Sequence, residues 1–152
     1  MELQAAIFAG AIGTLFMTRS STTEMRWTGR GESSAPGKAV VWPLKLIGIE
    51  IEGRNLMIIS TYAHWFYGVA WGLVWWLLVA QAELNLFVSA LLFFAIVWVT
   101  QVNILKITGI APWPWQWGHI KYNLMDWTHH AAYVAGTVIA GVSLEQIAGG
   151  SF

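Results

Sequence analysis

The sequence predicts an all-α, polytopic membrane protein with four transmembrane helices and both termini outside, and three observations carry that expectation. Only 11% of the 152 residues are charged and 57% are hydrophobic, whereas roughly a quarter of a soluble domain is charged because its core must be wrapped in solvated groups. The chain holds eleven Trp, a residue enriched where one edge of the ring meets lipid and the other meets water. All eight Lys and Arg residues fall in or beside two of the connections between apolar stretches, which fixes an orientation.

A bilayer asks for about 20 mostly apolar residues per helix, and four stretches meet that demand. The first covers about residues 3–23, with Arg19 able to snorkel at its end. The second covers about 56–80 and the third about 84–105, separated by a short break around Gln81, Ala82 and Glu83. The fourth covers about 123–144, with Asp126 expected in its first turn, where a carboxylate complements the helix dipole. Together they make a single transmembrane domain over residues 1–152. Met1 and Glu2 enter apolar sequence without a basic n-region, so the first span is expected to be retained rather than cleaved as a signal peptide.

Arg19, Arg26, Arg30, Lys38, Lys45 and Arg54 flank or occupy the first connection, and Lys106 and Lys121 bracket the third. The positive-inside rule therefore places both basic connections in the cytoplasm of a bacterial plasma (inner) membrane. Between residues 34 and 54 the first connection carries Ser34 and Pro36, a helix start, followed by a stretch suited to a short interfacial helix. The third connection contains Pro112, Trp113, Pro114, Trp115, Gln116 and Trp117. Alternating Pro and Trp suits an extended segment that lays Trp113, Trp115 and Trp117 along the headgroup layer as an aromatic anchor.

Each helix has one small or polar face at 100° per residue. In the first, Ala6, Gly10, Gly13, Met17, Ser20 and Glu24 share a side, and small residues there let helix backbones approach closely. The second groups His64, Gly68, Trp71, Gly72 and Trp75; the fourth groups His129, Ala132, Tyr133, Gly136 and Ala140. In the third helix Asn85, Ser89, Thr100 and Asn103 line up and are expected to face inward, since polar groups in hydrocarbon need partners. The second and fourth helices share a His, Tyr and Gly pattern, His64, Tyr67 and Gly68 against His130, Tyr133 and Gly136, so a parallel two-helix repeat is possible on the sequence.

Zero net charge without a basic run excludes an electrostatic nucleic-acid binder. The absence of Cys excludes disulfides, iron–sulfur clusters, thiolate metal sites and Cys nucleophiles. No nucleophile–base pair and no metalloprotease spacing is present, so a hydrolase is not expected. The chemistry-bearing residues are His64, His129 and His130, which share a depth of about 10–12 Å from the cytoplasmic helix starts, and three roles are open to them. They can hydrogen-bond across helices as packing groups. They can be axial ligands to haem or chlorophyll, with Asp126, Tyr67 and Tyr133 supporting the rings. Or His64, His129 and Glu24 can relay protons in a small transporter. His119, in the Trp-rich connection, reads as an interfacial residue.

The chain resembles small bacterial membrane proteins with no established activity. The resemblance lies in a Gly/Ser/Pro stretch (Gly29 to Gly37), a His-Trp-x-Tyr-Gly string (His64 to Gly68), a Pro/Trp loop (Pro112 to Trp117) and a terminal His-x-x-Tyr (His130 to Tyr133). It spans most of the chain and implies the four-helix architecture without a catalytic role. With so little mass outside the bilayer, the chain is expected to be a non-catalytic accessory or scaffolding subunit of a larger membrane complex. Its partners are then lipid and other membrane subunits.

Overall fold

The structure, a computed structural model, describes residues 2–78 and 84–149, and among them it is helical with no strands. Five helices follow in order: α1 (Leu3–Thr28), α2 (Ala35–Leu46), α3 (Gly53–Trp76), α4 (Leu86–Ile107) and α5 (Ile120–Ile147), with a 3-10 turn at Pro114–Gln116. Helices α1, α3, α4 and α5 form a bundle in which sequential neighbours run antiparallel, and α2 lies against α3. The break expected at residues 81–83, and the end of the second expected span, lie outside the described residues.

Several boundaries differ from expectation for identifiable reasons. Helix α1 continues five residues past residue 23, because nothing stops it before Gly29, which takes the left-handed conformation (φ 70°) and returns its N–H to the Met25 carbonyl at 2.9 Å. Helix α5 starts at Ile120 rather than near Asn123, with His119 as its N-cap. Asp126 therefore sits in the second turn, and its expected role against the helix dipole gives way to side-chain hydrogen bonding. Helix α2 does begin after Ser34 with Pro36 in its first turn.

The Pro/Trp connection is not extended. Pro114 opens a 3-10 turn, the Gln116 side chain accepts from the Trp113 N–H at 3.3 Å, and Trp117 Nε1 donates to the Pro112 carbonyl at 2.8 Å. Trp113 and Trp115 consequently stack on each other, 5.1 Å between centroids and 9° between planes. Trp115 is exposed, whereas Trp117 turns toward the bundle.

Close helix approach is built on small residues, and α1 is its centre, packing most extensively on α5 and then on α3. A Cβ on Gly10 would meet the Gly68 and Val69 carbonyls at 2.9 Å, and one on Gly72 would run into the Ala6 carbonyl. On the other side of α1, Gly13 lies against Thr137 and the Tyr133 carbonyl, while Gly136 lies against Phe16 and Gly13. Backbone contact of this kind supplies dispersion and shape fit between the helices. Above it Trp75, Phe93, Val97, Tyr133 and Val134 form the buried apolar cluster.

Among the described helices only α4, with a mean hydropathy of 2.1, is long and apolar enough to cross a membrane. The expectation of four such spans is therefore not met on length and composition. Helices α1, α3 and α5 fall short because they carry Gly, Thr, Ser, His, Trp and Tyr, many of which are the residues through which they pack.

Candidate functional site

Toward the end of the bundle that holds α2, the helices diverge around a half-open cavity of about 960 Å³. Contacts between α3 and α4 are sparse: Trp71, at the cavity's inner wall, and Trp75 beyond it meet Phe93 with ring centroids 6.3 and 5.4 Å apart. The volume is within the ordinary range of small-molecule sites, roughly 300–1,000 Å³. A shallower groove of about 420 Å³ between α4 and α5 is lined only by apolar side chains and offers no chemistry.

Helix α5 contributes His130, 4% exposed, to the cavity wall. Its Nδ1 lies 2.7 Å from the Asp126 carbonyl one turn earlier. A carbonyl only accepts, so Nδ1 carries the proton and, in the neutral ring, Nε2 across the ring is a lone-pair acceptor directed away from the α5 backbone. The Asp126 carboxylate was the expected partner of this ring but stands 3.7 Å from Nδ1. It accepts instead from Trp98 Nε1 at 2.7 Å and from Gln101 Nε2 at 3.5 Å, tying α4 to α5.

Helix α3 contributes His64. Its Nε2 is 3.1 Å from Thr18 Oγ1, and that hydroxyl already donates to the Thr14 carbonyl at 2.8 Å. A hydroxyl has one proton to give, so Thr18 accepts here; His64 is protonated at Nε2 and carries its lone pair on Nδ1. His64 and His130 border the same cavity within electrostatic reach of each other.

His129, adjacent in sequence to His130 but about 100° round the helix, turns to α1. Its Nδ1 is 2.9 Å from Ser20 Oγ and its Nε2 is 3.7 Å from Glu24 Oε2. Glu24, considered for a proton relay, is held by Arg30, whose Nε and Nη2 lie 3.0 and 2.5 Å from Oε2. Hydrogen bonding from Arg30 holds the Glu24 carboxyl below the usual carboxylate range, against a smaller opposing effect of burial.

The two tyrosines expected to support the imidazoles do other work. Tyr133 is buried and donates its hydroxyl to the Gly68 carbonyl at 2.6 Å, locking α5 to α3. Tyr67 is 37% exposed and sets its ring edge-on to Trp71, 5.7 Å away. The two positions of the suspected repeat are thus used differently. On α4, Asn85 caps its own helix by accepting from the Val88 N–H, and Asn103 is exposed with its amide on the Val99 carbonyl. Neither faces inward, because a helical Asn can satisfy itself locally; Ser89 alone of the four is fully buried.

Three polar atoms at the cavity wall are buried with no hydrogen-bond partner among the described residues: Gln101 Oε1, Trp71 Nε1 and His129 Nε2, the last facing Glu24. Trp98 and Thr18, which fix the site's geometry, carry no sequence signal of that role beyond their spacing, Trp98 one turn before Gln101 and Thr18 one turn after Thr14. No group of three or more His, Asp or Glu side chains is placed to hold a metal ion among the described residues. No protein-family model, no curated protein and no solved structure matches the chain.

Proposed function

We propose that the chain is a multi-pass protein of the bacterial inner membrane, with α1, α3, α4 and α5 spanning and both termini outside, serving as a non-catalytic accessory or scaffolding subunit of a larger membrane complex. One observation carries the membrane reading: large apolar side chains cover the outside of the bundle while several small polar ones lie fully buried within it. Phe66 and Phe87 are 79% and 71% exposed, and Phe8, Leu91 and Ile139 are exposed with them, while Thr14, Thr137 and Ser89 are fully buried. Apolar surface that extends over all four long helices is unsuited to water and suited to lipid or to partner helices.

This distribution also supports counting α1, α3 and α5 as spans despite their modest hydropathy. A mean over a window gives equal weight to the face that meets lipid and the face that meets another helix, and in these three the packing face is Gly, Thr, Ser and His. The charge distribution adds the orientation, since every Lys and Arg lies at the α2 end of the bundle.

The absence of Cys makes the topology directly testable by single-cysteine labelling in intact cells. Cysteine introduced at Gly31 or Gly118 should react with a membrane-impermeant maleimide only after the cells are opened, and cysteine at Ala148 should react before. Labelling of all three from outside, or release of the protein by alkaline carbonate, would sink the four-span reading. Extraction in a mild detergent followed by native electrophoresis tests the subunit role: the chain should migrate with other membrane proteins, and migration alone at its own mass contradicts it.

A further inference from the structure

We propose that the cavity between α3 and α4 is a binding site for a hydroxyl-bearing aromatic amphiphile, of the benzoquinol class, held by the lone pairs of His130 Nε2 and His64 Nδ1. The proposal goes beyond the subunit role and borrows from it only the lipid phase as the route of entry. Its basis is the polarity of what the cavity leaves unsatisfied.

Three acceptors border the space: His130 Nε2, His64 Nδ1 and Gln101 Oε1. Each orientation is forced by a second contact. The Asp126 carbonyl takes the Nδ1 proton of His130, the Thr18 hydroxyl takes the Nε2 proton of His64, and the Asp126 carboxylate takes an N–H of Gln101, turning its carbonyl oxygen away. Against these stand two buried atoms without a hydrogen-bond partner at the wall: Trp71 Nε1, a donor beside the Tyr67 ring, and His129 Nε2, directed at the Glu24 carboxylate 3.7 Å away. Gln101 Oε1 is buried without a partner, a cost that a ligand O–H recovers, and the two imidazole lone pairs at the same wall likewise select a ligand that donates.

The remainder of the wall describes the rest of the ligand. Trp71, Tyr67, Trp65 and Trp117 border the space, and aromatic faces favour a flat ring in offset or edge contact. Aliphatic side chains interspersed with hydroxyl-bearing ones, Met17, Val97 and Ile104 among them, give an apolar tail a surface to lie on. No charged partner is needed: Glu24 and Arg30, at the cavity's border, satisfy each other. A haem held by both imidazoles fits less well, because His64 has committed Nε2, the nitrogen that projects farther from the backbone, to Thr18.

The test uses the full chain in nanodiscs, a decyl-benzoquinol kept reduced under argon, and its dimethyl ether, which has the same shape and no O–H. Quenching of Trp fluorescence should saturate with the quinol at a Kd about tenfold or more below that of the ether. In histidine-labelled protein the ¹⁵N resonance of His130 Nε2 should move on quinol addition and not on ether addition. His130→Phe, which keeps a ring in place, should erase the preference between the two probes. Equal affinity for quinol and ether overturns the proposal without any variant, and so does no binding by either while the cysteine labelling still reports four spans. A Soret band on haemin titration that His130→Phe removes also overturns it, in favour of an iron ligand.

Discussion

The bundle's two halves are made from the same four helices, yet one half is closed and the other is open. Around Gly10, Gly68 and Gly72 the backbones of α1 and α3 touch, and Trp75, Phe93 and Tyr133 fill what remains between α3, α4 and α5. One turn from Gly68 along α3 the small residues give way to His64, and across the bundle α4 presents Gln101 to Asp126 of α5, so the helices are held apart by side chains that reach for one another. Close approach fixes the geometry at one end, and polar contacts of longer reach keep the cavity at the other. The difference teaches that residue size sets how near the helices come, while hydrogen bonding decides where they stop.

The largest expected effect comes from adding volume to the closed half. A Cβ at Gly72 would collide with the Ala6 carbonyl, which is backbone and cannot rotate aside. Gly72→Ala should therefore destabilise the bundle by about 3 kcal/mol, the upper end of overpacking costs, measured as the midpoint of unfolding in mixed detergent and SDS. The matched substitution in the open half, Ala63→Leu at the cavity wall, adds more atoms and should cost about 1 kcal/mol or less. Equal losses at the two positions would mean that the cavity is closed in solution and the contrast between the halves is false.

Much of the closed half was legible in the sequence, because close helix packing follows from residue size and from a 3.6-residue period that can be counted. Gly10, Gly13, Gly68, Gly72 and Gly136 fall on countable faces, and those faces meet within the chain. The open half was legible only as a set of ingredients. Adjacent His129 and His130 point to different helices, and a period cannot say which neighbour each will find. Asp126 supports His130 through its backbone carbonyl and gives its carboxylate to Trp98, a division of labour that no spacing encodes. Asn103 and Asn85 show the limit of counting faces, since each finds its partner in its own helix. Trp113 and Trp115 pair with each other because Gln116 and Pro114 tighten the loop, a tertiary choice hidden from an alternating Pro/Trp pattern.

Next in size is the tie that keeps α4 at its distance from α5 in the open half. Trp98 Nε1 donates to the Asp126 carboxylate at 2.7 Å, and the two rings of Trp98 and Trp127 meet edge to face beside it. Trp98→Phe removes the donor and keeps an aromatic ring, so it should cost about 1.5–3 kcal/mol, the range for a hydrogen bond to a charged acceptor. The same variant should leave the response to Gly72→Ala unchanged, because the two sites share no partner and their effects should add within about 0.5 kcal/mol. Strong non-additivity in a double-mutant cycle would join the halves into one cooperative unit. A smaller loss, about 1 kcal/mol, is expected for Ser60→Ala. Ser60 Oγ accepts from the Gly37 N–H at 3.2 Å and donates to the Ser33 carbonyl at 3.3 Å, so its removal should loosen α2 from α3 at the border of the cavity. Faster hydrogen exchange at Gly37, with α1 and α5 unaffected, is the expected reading.

The smallest effect concerns the outermost contact of the open half, where Arg30 folds the segment after α1 back onto Glu24. The folded carboxyl titrates below its ordinary value of 4.5 because Arg30 hydrogen-bonds the charged form. A depressed carboxylate contributes stability that is fully present above the unfolded value and is lost as pH falls through the folded one. Cooling the charge on Glu24 by acid should therefore release Arg30 in the window beginning near pH 4.5 and extending below it, while the pair stays intact at neutral pH. The Thr28 hydroxyl, which also bonds to Glu24, should be freed with it. Amide exchange at Gly29 and Arg30, whose N–H donates to the Thr28 hydroxyl, corrected for its intrinsic pH dependence, should show less protection below that window than above it, and Glu24→Gln should show the low protection at both. Because the contact is exposed on the Arg30 side, moderate salt should weaken it as well, whereas the Gly72 contact, made by backbone against backbone, should not respond to salt or acid at all.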